Sequence, residues 1–354
     1  MFSWGKTGAT RASAEPGPAR CREIYQRYAA GLYRQVLLYP GDRAPAGPGA
    51  GEPLVNEHAL AAMAGSIRVA PGPPEHRREH AGVMGTRRVR VGCEFVYEAE
   101  VDTPAVFQVE PLDAAPVNVE RPEWSTEPAA RVRRYADLYG NPCTRVVLPA
   151  GRSVLRFGVS VLVPDATEDA GEDAPELPPD RLPDEVLIYT LPSRYCLPDV
   201  LGDEAWSRFG AVAAGYSRVQ AICDHVNGHL TFQYGASGPL STAADVNASG
   251  FGVCRDFTHL AISFCRALNI PARYVFGYLP QMDVPPDPAP MDFAAWMEVW
   301  LGDRWWTFDP RNNRRRKGRI LIGRGRDASD VAMVTTFGAP RLESMTVHAQ
   351  EETD

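Results

Sequence analysis

The segment Gly250-Phe251-Gly252-Val253-Cys254-Arg255-Asp256-Phe257 sets a cysteine directly after a glycine-rich approach. Beyond it Phe257, Leu260, Ala261, Phe264, Cys265 and Leu268 fall at helical intervals, so Cys254 opens a long amphipathic helix that Asn269 and Pro271 close. Unpaired N–H groups and the positive end of the dipole at a helix N-terminus stabilise a thiolate, and the same amides can hold an oxyanion. The position therefore suits a nucleophile. It suits a core cysteine too, because Cys254 stands three residues before Phe257 on the apolar stripe and free cysteine is among the most buried residue types.

A second constellation lies downstream. Gly302-Asp303 separates the strand-like runs Ala295–Leu301 and Arg304–Asp309, a two-residue hairpin signal. In that register Leu301 faces Arg304, Trp296 faces Asp309 and Ala294 faces Arg311. Position 294 and Asp309 are then diagonal neighbours on one face, about 7–8 Å apart and within reach of a long side chain. A histidine at 294 would be oriented by Asp309 as in a Cys/His/Asp triad. This chain has Ala294 there. His259 lies about 140° around the helix from Cys254 and should point elsewhere. His225 and His229 end the preceding helix, which Gly228 is expected to stop; with no third ligand evident, neither a metal site nor a cofactor is expected.

The elements that must position these residues follow from pattern changes. Strand-like alternation begins just after Met84, in Arg88-Val89-Arg90-Val91 and Cys93–Tyr97, and recurs at Ala105–Val109, Arg131–Tyr139, Thr144–Leu148, Ser153–Val163 and Glu185–Tyr189. Such spacing reads as a small β-sandwich or barrel. An acidic, Pro-rich insert from Pro164 to Asp184 reads as a solvated loop. From Trp206 to His225 the period is helical, and after the Cys254 helix come strands at Ala272–Leu279 and in the hairpin, so this half is α+β. Residues 1–83, rich in Gly, Pro, Ala and Arg, read as a loose extension with short helix-compatible pieces at Cys21–Gln35 and His58–Met63, and Met84 is an alternative start.

Of 354 residues, 44% are hydrophobic and 23% charged, which fits a globular protein of about two domains. A net charge of -7 lacks the overall footprint of a nucleic-acid binder. The basic cluster Arg311, Arg314, Arg315, Arg316, Lys317 and Arg319 has no interleaved aromatics and reads as a solvated loop, with recognition of acidic substrate groups as a second option. Seven cysteines without a C-x-x-C pair suggest neither a disulfide framework nor a zinc ribbon. With no long apolar run and no secretory pattern, no membrane association and a cytoplasmic location are expected.

Taken together, GVCRDFTHL (Gly252 to Leu260), IPARYVFGY (Ile270 to Tyr278), MDFAAWMEVWLGDRWWTFDPRNN (Met291 to Asn313) and GRDASDVAMVTTFG (Gly325 to Gly338) resemble the bacterial transglutaminase-like superfamily. The region from Arg88 to Thr190 resembles that family's N-terminal β-domain, whereas residues 1–83 lie outside the likeness. The resemblance implies an α+β, papain-like core at 196–345, a β-sandwich-like domain at 84–195 and a tail at 346–354. It matches Cys254 to the nucleophile and Asp309 to the acid that orients the base, with the family's histidine at the position of Ala294. The function it implies is a thiol amidase, peptidase or acyl-transferase acting on peptide or amide bonds through an acyl-thioester on Cys254, impaired at Ala294. The alternative is a non-catalytic peptide-binding protein or a partner of a peptide-ligase system. Three accounts of Ala294 stay open: a native binder, a native enzyme with another base, or a substitution in a working enzyme.

Overall fold

Strand β1 (Thr86–Ala99) shows why the first half forms sheet. Val89, Val91, Cys93, Phe95 and Tyr97 alternate along it on a buried face. The intervening Arg88, Arg90 and Glu94 face outward and pair with Glu120, Glu123 and Arg156. In the computed structural model, which describes residues 85–114 and 116–352, β1 runs antiparallel to β7 (Gly151–Pro164) without a break in register. The expected extension over residues 1–83, with its two helical pieces, lies outside the described residues. Strands β3 (Asn118–Val119) and β4 (Glu123–Glu127) continue this sheet on β7. A second sheet is built from β2 (Thr103–Phe107), β5 (Arg133–Ala136), β6 (Pro142–Leu148) and β14 (Val334–Thr336) in the order β14-β2-β6-β5.

The C-terminal segment corrects the expected boundaries. The expected tail from 346 is strand as far as Glu351, because β15 (Arg341–Glu351) pairs antiparallel with β1 from Val89↔Glu351 to Glu98↔Arg341. Its Leu342, Met345, Val347 and Ala349 are buried. The chain thus leaves the sandwich, forms the α+β region and returns to complete both β-sheets. Cross-links make the halves share one core: Tyr278 donates its hydroxyl to the Val109 carbonyl at 2.8 Å, and Asn141 exchanges two hydrogen bonds with the Arg324 backbone.

Between these strands lie α1 (Gly202–Phe209), α2 (Tyr216–His229), β8 (Thr231–Phe232), α3 (Ala243–Ser249), β9 (Phe251–Gly252) and α4 (Cys254–Ala267). They pack against an antiparallel sheet of β10 (Ala272–Tyr278), β11 (Ala294–Leu301), β12 (Arg304–Phe308) and β13 (Ile320–Gly325), ordered β12-β11-β10-β13. This is the expected α+β class. No helix among the described residues is long and apolar enough to cross a membrane.

Three local expectations fail for physical reasons. The single helix over 206–225 is two helices. Gly215 takes φ 100°, and a Cβ there would stand 2.5 Å from the Ala174 carbonyl oxygen, so the break is set by close approach of the acidic insert. Gly228 does not stop α2, which runs to His229; glycine costs a helix interior only about 1 kcal/mol. Glu185–Tyr189 is helical rather than strand, with Asp184 and Glu185 in the first turn where the dipole favours them.

Because β15 covers β1 with three large apolar side chains, each contributing about 1.5–3 kcal/mol on burial, a chain ending at Pro340 is expected to lose most of its folding free energy. Urea denaturation followed by circular dichroism checks this. A truncated chain that unfolds cooperatively at the full-length midpoint contradicts the assignment.

Candidate active site

The entry to α4 is shaped by backbone rather than by the cysteine. Gly250 closes α3 in the left-handed region at φ 75°. The parallel pairing of Thr231 with Phe251 and Phe232 with Gly252 then carries the chain to extended Val253. Gly252 cannot carry a side chain, since its Cβ would lie 2.8 Å from Asp256 Cβ. Asp256 closes the first turn. Its carboxylate accepts the Val253 N–H at 2.9 Å, the Ser237 hydroxyl and the Arg255 guanidinium, while Arg255 also donates to the Gly238 carbonyl at 2.8 Å. The loop around residues 234–238 is thereby fixed to the head of α4.

Cys254 is the first residue of α4 and is partly buried, with Sγ 4.0 Å from the Phe293 carbonyl oxygen. It sits beside the N-terminal end of β11, where Phe293 precedes Ala294. Burial works against the thiolate that the helix N-terminus favours. Burial pushes the Cys254 thiol up to about 11; Arg311 and the Ala295 amide favour the thiolate, Asp292 and Asp256 oppose it, and desolvation wins.

The hairpin register is as expected where it is formed: Leu301 pairs with Arg304 and Met297 with Phe308. Ala294 and Trp296 share an apolar cluster with Val275, Leu279 and Leu321, whereas Ala295 and Met297 pack into the main core. Ala294 is 8% exposed. The predicted facing of Ala294 and Arg311 does not occur, because the ladder ends at Phe308 and Asp309 starts a turn. Asp309 Oδ1 accepts the N–H groups of Arg311 and Asn312 at 3.1 and 2.9 Å. Its Oδ2 accepts Asn312 Nδ2 and the Arg319 guanidinium, both at 2.8 Å. These four donors match the about four acceptor positions of a carboxylate. Burial opposes ionisation of Asp309, but Arg319, then Asn312, outweigh it and hold the carboxyl below its usual range.

Arg319 is held at both ends of its reach. It also pairs with Glu168 and lies over the Trp296 ring at 5.0 Å. The acidic insert and the basic cluster, expected as solvated loops, are in contact through Glu168 and Asp165, while Glu172, Asp173, Arg314 and Arg315 stay exposed. Lys317 pairs with Asp165 and Asp283 at 2.7 Å, the Arg316 N–H donates to Glu168, and Thr167 bridges Lys317. Two charge runs of opposite sign, at 165–176 and 311–319, were the sequence signal for this contact.

Among the described residues, His259, His225 and His229 have other partners. His259 is buried, stacks on Tyr195 at 5.1 Å and accepts the Ala328 N–H; burial pushes it down to about 3. His225 and His229 stack on each other at 5.5 Å along α2. No group of three His, Cys, Asp or Glu side chains that could hold a metal occurs among the described residues. The neighbours that sequence reasoning left out are Tyr234, Asp292 and, as a member of the site, Arg311. Burial raises the Tyr234 hydroxyl, with Asp292 adding to the shift and Arg311 opposing it.

Residues 207–310 match the Transglutaminase-like superfamily. An uncharacterised protein of Mycobacterium leprae is 30% identical over 216 residues, 58% of this chain and 76% of that protein. An uncharacterised protein of Mycobacterium tuberculosis is 36% identical over 112 residues, 29% of this chain and 35% of that protein. The crystal structure of a candidate cysteine protease from Cytophaga hutchinsonii superposes with a TM-score of 0.69 at 27% identity, covering 76% of this chain and 92% of that one. The chain belongs to the bacterial transglutaminase-like superfamily.

Replacing Asp309 by Asn keeps the shape and removes the charge facing Arg319, at an expected cost of about 3 kcal/mol. Asp309 has a depressed pKa, so its contribution is present above the unfolded carboxylate value of about 3.9 and is lost as pH falls through the folded value. The gap in urea stability between parent and Asp309→Asn should be full at pH 7 and shrink below pH of about 4. A gap absent at pH 7, or constant down to acid pH, contradicts the assigned ion pair.

Proposed function

We propose that the cleft at the head of α4 binds peptide or amide groups without turning them over through a Cys–His–Asp relay. The observation that supports this reading is the state of Asp309: its carboxylate is already engaged by Arg319, Asn312 and two turn amides. Even a base arriving at Ala294 would meet an acceptor in use. The thiol itself, pushed up to about 11, would be ionised in only about one molecule in 10⁴ at neutral pH. Loss of one member of a catalytic unit costs several powers of ten in rate, and here the histidine position holds Ala294 while the Asp309 carboxylate is engaged elsewhere. What is kept is the recognition frame: the Asp256 clamp, the edge of β11 at Phe293 and Ala295, and the wall formed by Phe232 and Tyr234.

The reading keeps the family's cleft and assigns it binding to a peptide or protein partner. Incubated with a panel of blocked tripeptide amides, the protein should bind a subset of them in saturation-transfer NMR. Cys254→Ala should bind the same subset, and release of ammonia or amine by the parent should not exceed that of this variant. Turnover dependent on Cys254, or absence of binding across the panel, contradicts the proposal.

A further inference from the structure

We infer that this cleft selects a carboxylate, which Arg311 holds beside Cys254. The inference rests on the reading of the cleft as a ligand site and adds the chemistry of the ligand. Arg311 is partly buried, yet it forms no ion pair with a carboxylate among the described residues. Its guanidinium lies 3.9 Å from the centroid of Phe232. Phe232 pairs with Gly252, two residues before Cys254, so the stacked cation stands at the entry to α4. In the same basic run Lys317 and Arg319 are neutralised by Asp165, Asp283, Glu168 and Asp309, Arg316 donates its side chain to the Pro280 carbonyl, and Arg311 is the one that stacks on an aromatic ring at the entry to α4.

The position is built in advance. Asp309 Oδ1 accepts the Arg311 N–H at 3.1 Å, and Asn227 Nδ2 donates to the carbonyls of Pro310 and Arg311 at 3.1 and 2.7 Å. Both peptide groups flanking Arg311 are thus fixed before any ligand arrives, which lowers the ordering cost of binding. Stacking on Phe232 orients the guanidinium plane and leaves N–H groups at its edge for a bidentate carboxylate. Asp292 is the acidic group that faces the same space. Its Oδ1 accepts the Phe293 N–H at 2.7 Å, which ties it to the start of β11. In this arrangement Asp309, matched by family resemblance to the acid that orients a histidine, instead sets the backbone of the ligand-binding arginine.

The ligand group is a carboxylate, from a peptide C-terminus or from an acidic side chain. The test uses the thiol as a reporter and needs no turnover. Iodoacetate and iodoacetamide react with the same thiolate, so the ratio of their rates at Cys254 cancels the ionised fraction and reads anion recognition. Labelling is quantified at Cys254 by peptide mass spectrometry. The ratio should exceed that of glutathione by about tenfold, as one charge-assisted contact implies. Arg311→Gln should bring it down to the glutathione value, and Arg311→Lys should keep part of it. Acetyl-trialanine as the free acid, its carboxamide, and a carboxamide with a central Glu are then compared as protectants against iodoacetamide. The acid that protects names the source. A parent ratio equal to that of glutathione, a ratio unchanged in Arg311→Gln, or equal protection by the neutral peptide overturns the inference. Binding of neutral peptides with no anion preference would overturn it while leaving the proposed function standing.

Discussion

A carboxylate buried at the end of a β-hairpin must have its charge and its lone pairs satisfied, and the way Asp309 meets that demand fixes the segments around it. Arg319 supplies the charge, Asn312 and two amides supply the remaining hydrogen bonds, and the turn after β12 is fixed as a consequence. Arg319 in turn requires Glu168, which draws the acidic insert across the sheet and against the basic run. One ion pair thereby links a hairpin, a loop and a long insertion. The energetic logic is that of a buried pair: its formation contributes little net, whereas its disruption leaves a charge uncompensated.

A similar economy operates around α4. The helix is buried on its polar side as well as its apolar one, and each buried polar group ties down a neighbouring segment. Asp256 holds the 234–238 loop, Ser263 accepts the Leu197 N–H, His259 accepts the Ala328 N–H, and Arg266 donates to the carbonyls of Leu191, Ala272 and Arg326. Unpaired, these groups would cost more than the hydrogen bonds gain. Satisfied, they hold the neighbouring segments against α4, so the transglutaminase-like frame persists while the position of the expected histidine carries a methyl group.

Much of this frame was legible from residue order. The period of two in Val89–Tyr97, the helical period from Phe257 to Leu268 and the Gly302-Asp303 turn are local signals, and each names its element because burial repeats with the backbone. The C-terminal strand was not legible: pairing of β15 with β1 joins residues about as far apart as the described chain allows, and the length of 341–351 alone says nothing of its partner. The break at Gly215 depends on the approach of Ala174, a contact between segments. For the site, the sequence places Cys254, Ala294 and Asp309, but the state of each follows from neighbours outside the motifs. A helix N-terminus predicts a lowered thiol pKa, and desolvation reverses it. A solvated basic loop is predicted from charge alone, and an acidic run more than 130 residues earlier pairs with its Lys317 and Arg319.

The central claim is that Asp309 is committed to Arg319 and its turn while burial keeps Cys254 a thiol. The direct measurement is the ultraviolet thiolate titration of the parent, with Cys254→Ala subtracted to isolate the one sulfur. The account predicts a single ionisation centred near pH of about 11, with no absorbance change assigned to Cys254 between about pH 5 and 8. An ionisation in that lower window would show a thiolate held by a base or cation that this arrangement does not provide, and would contradict the account.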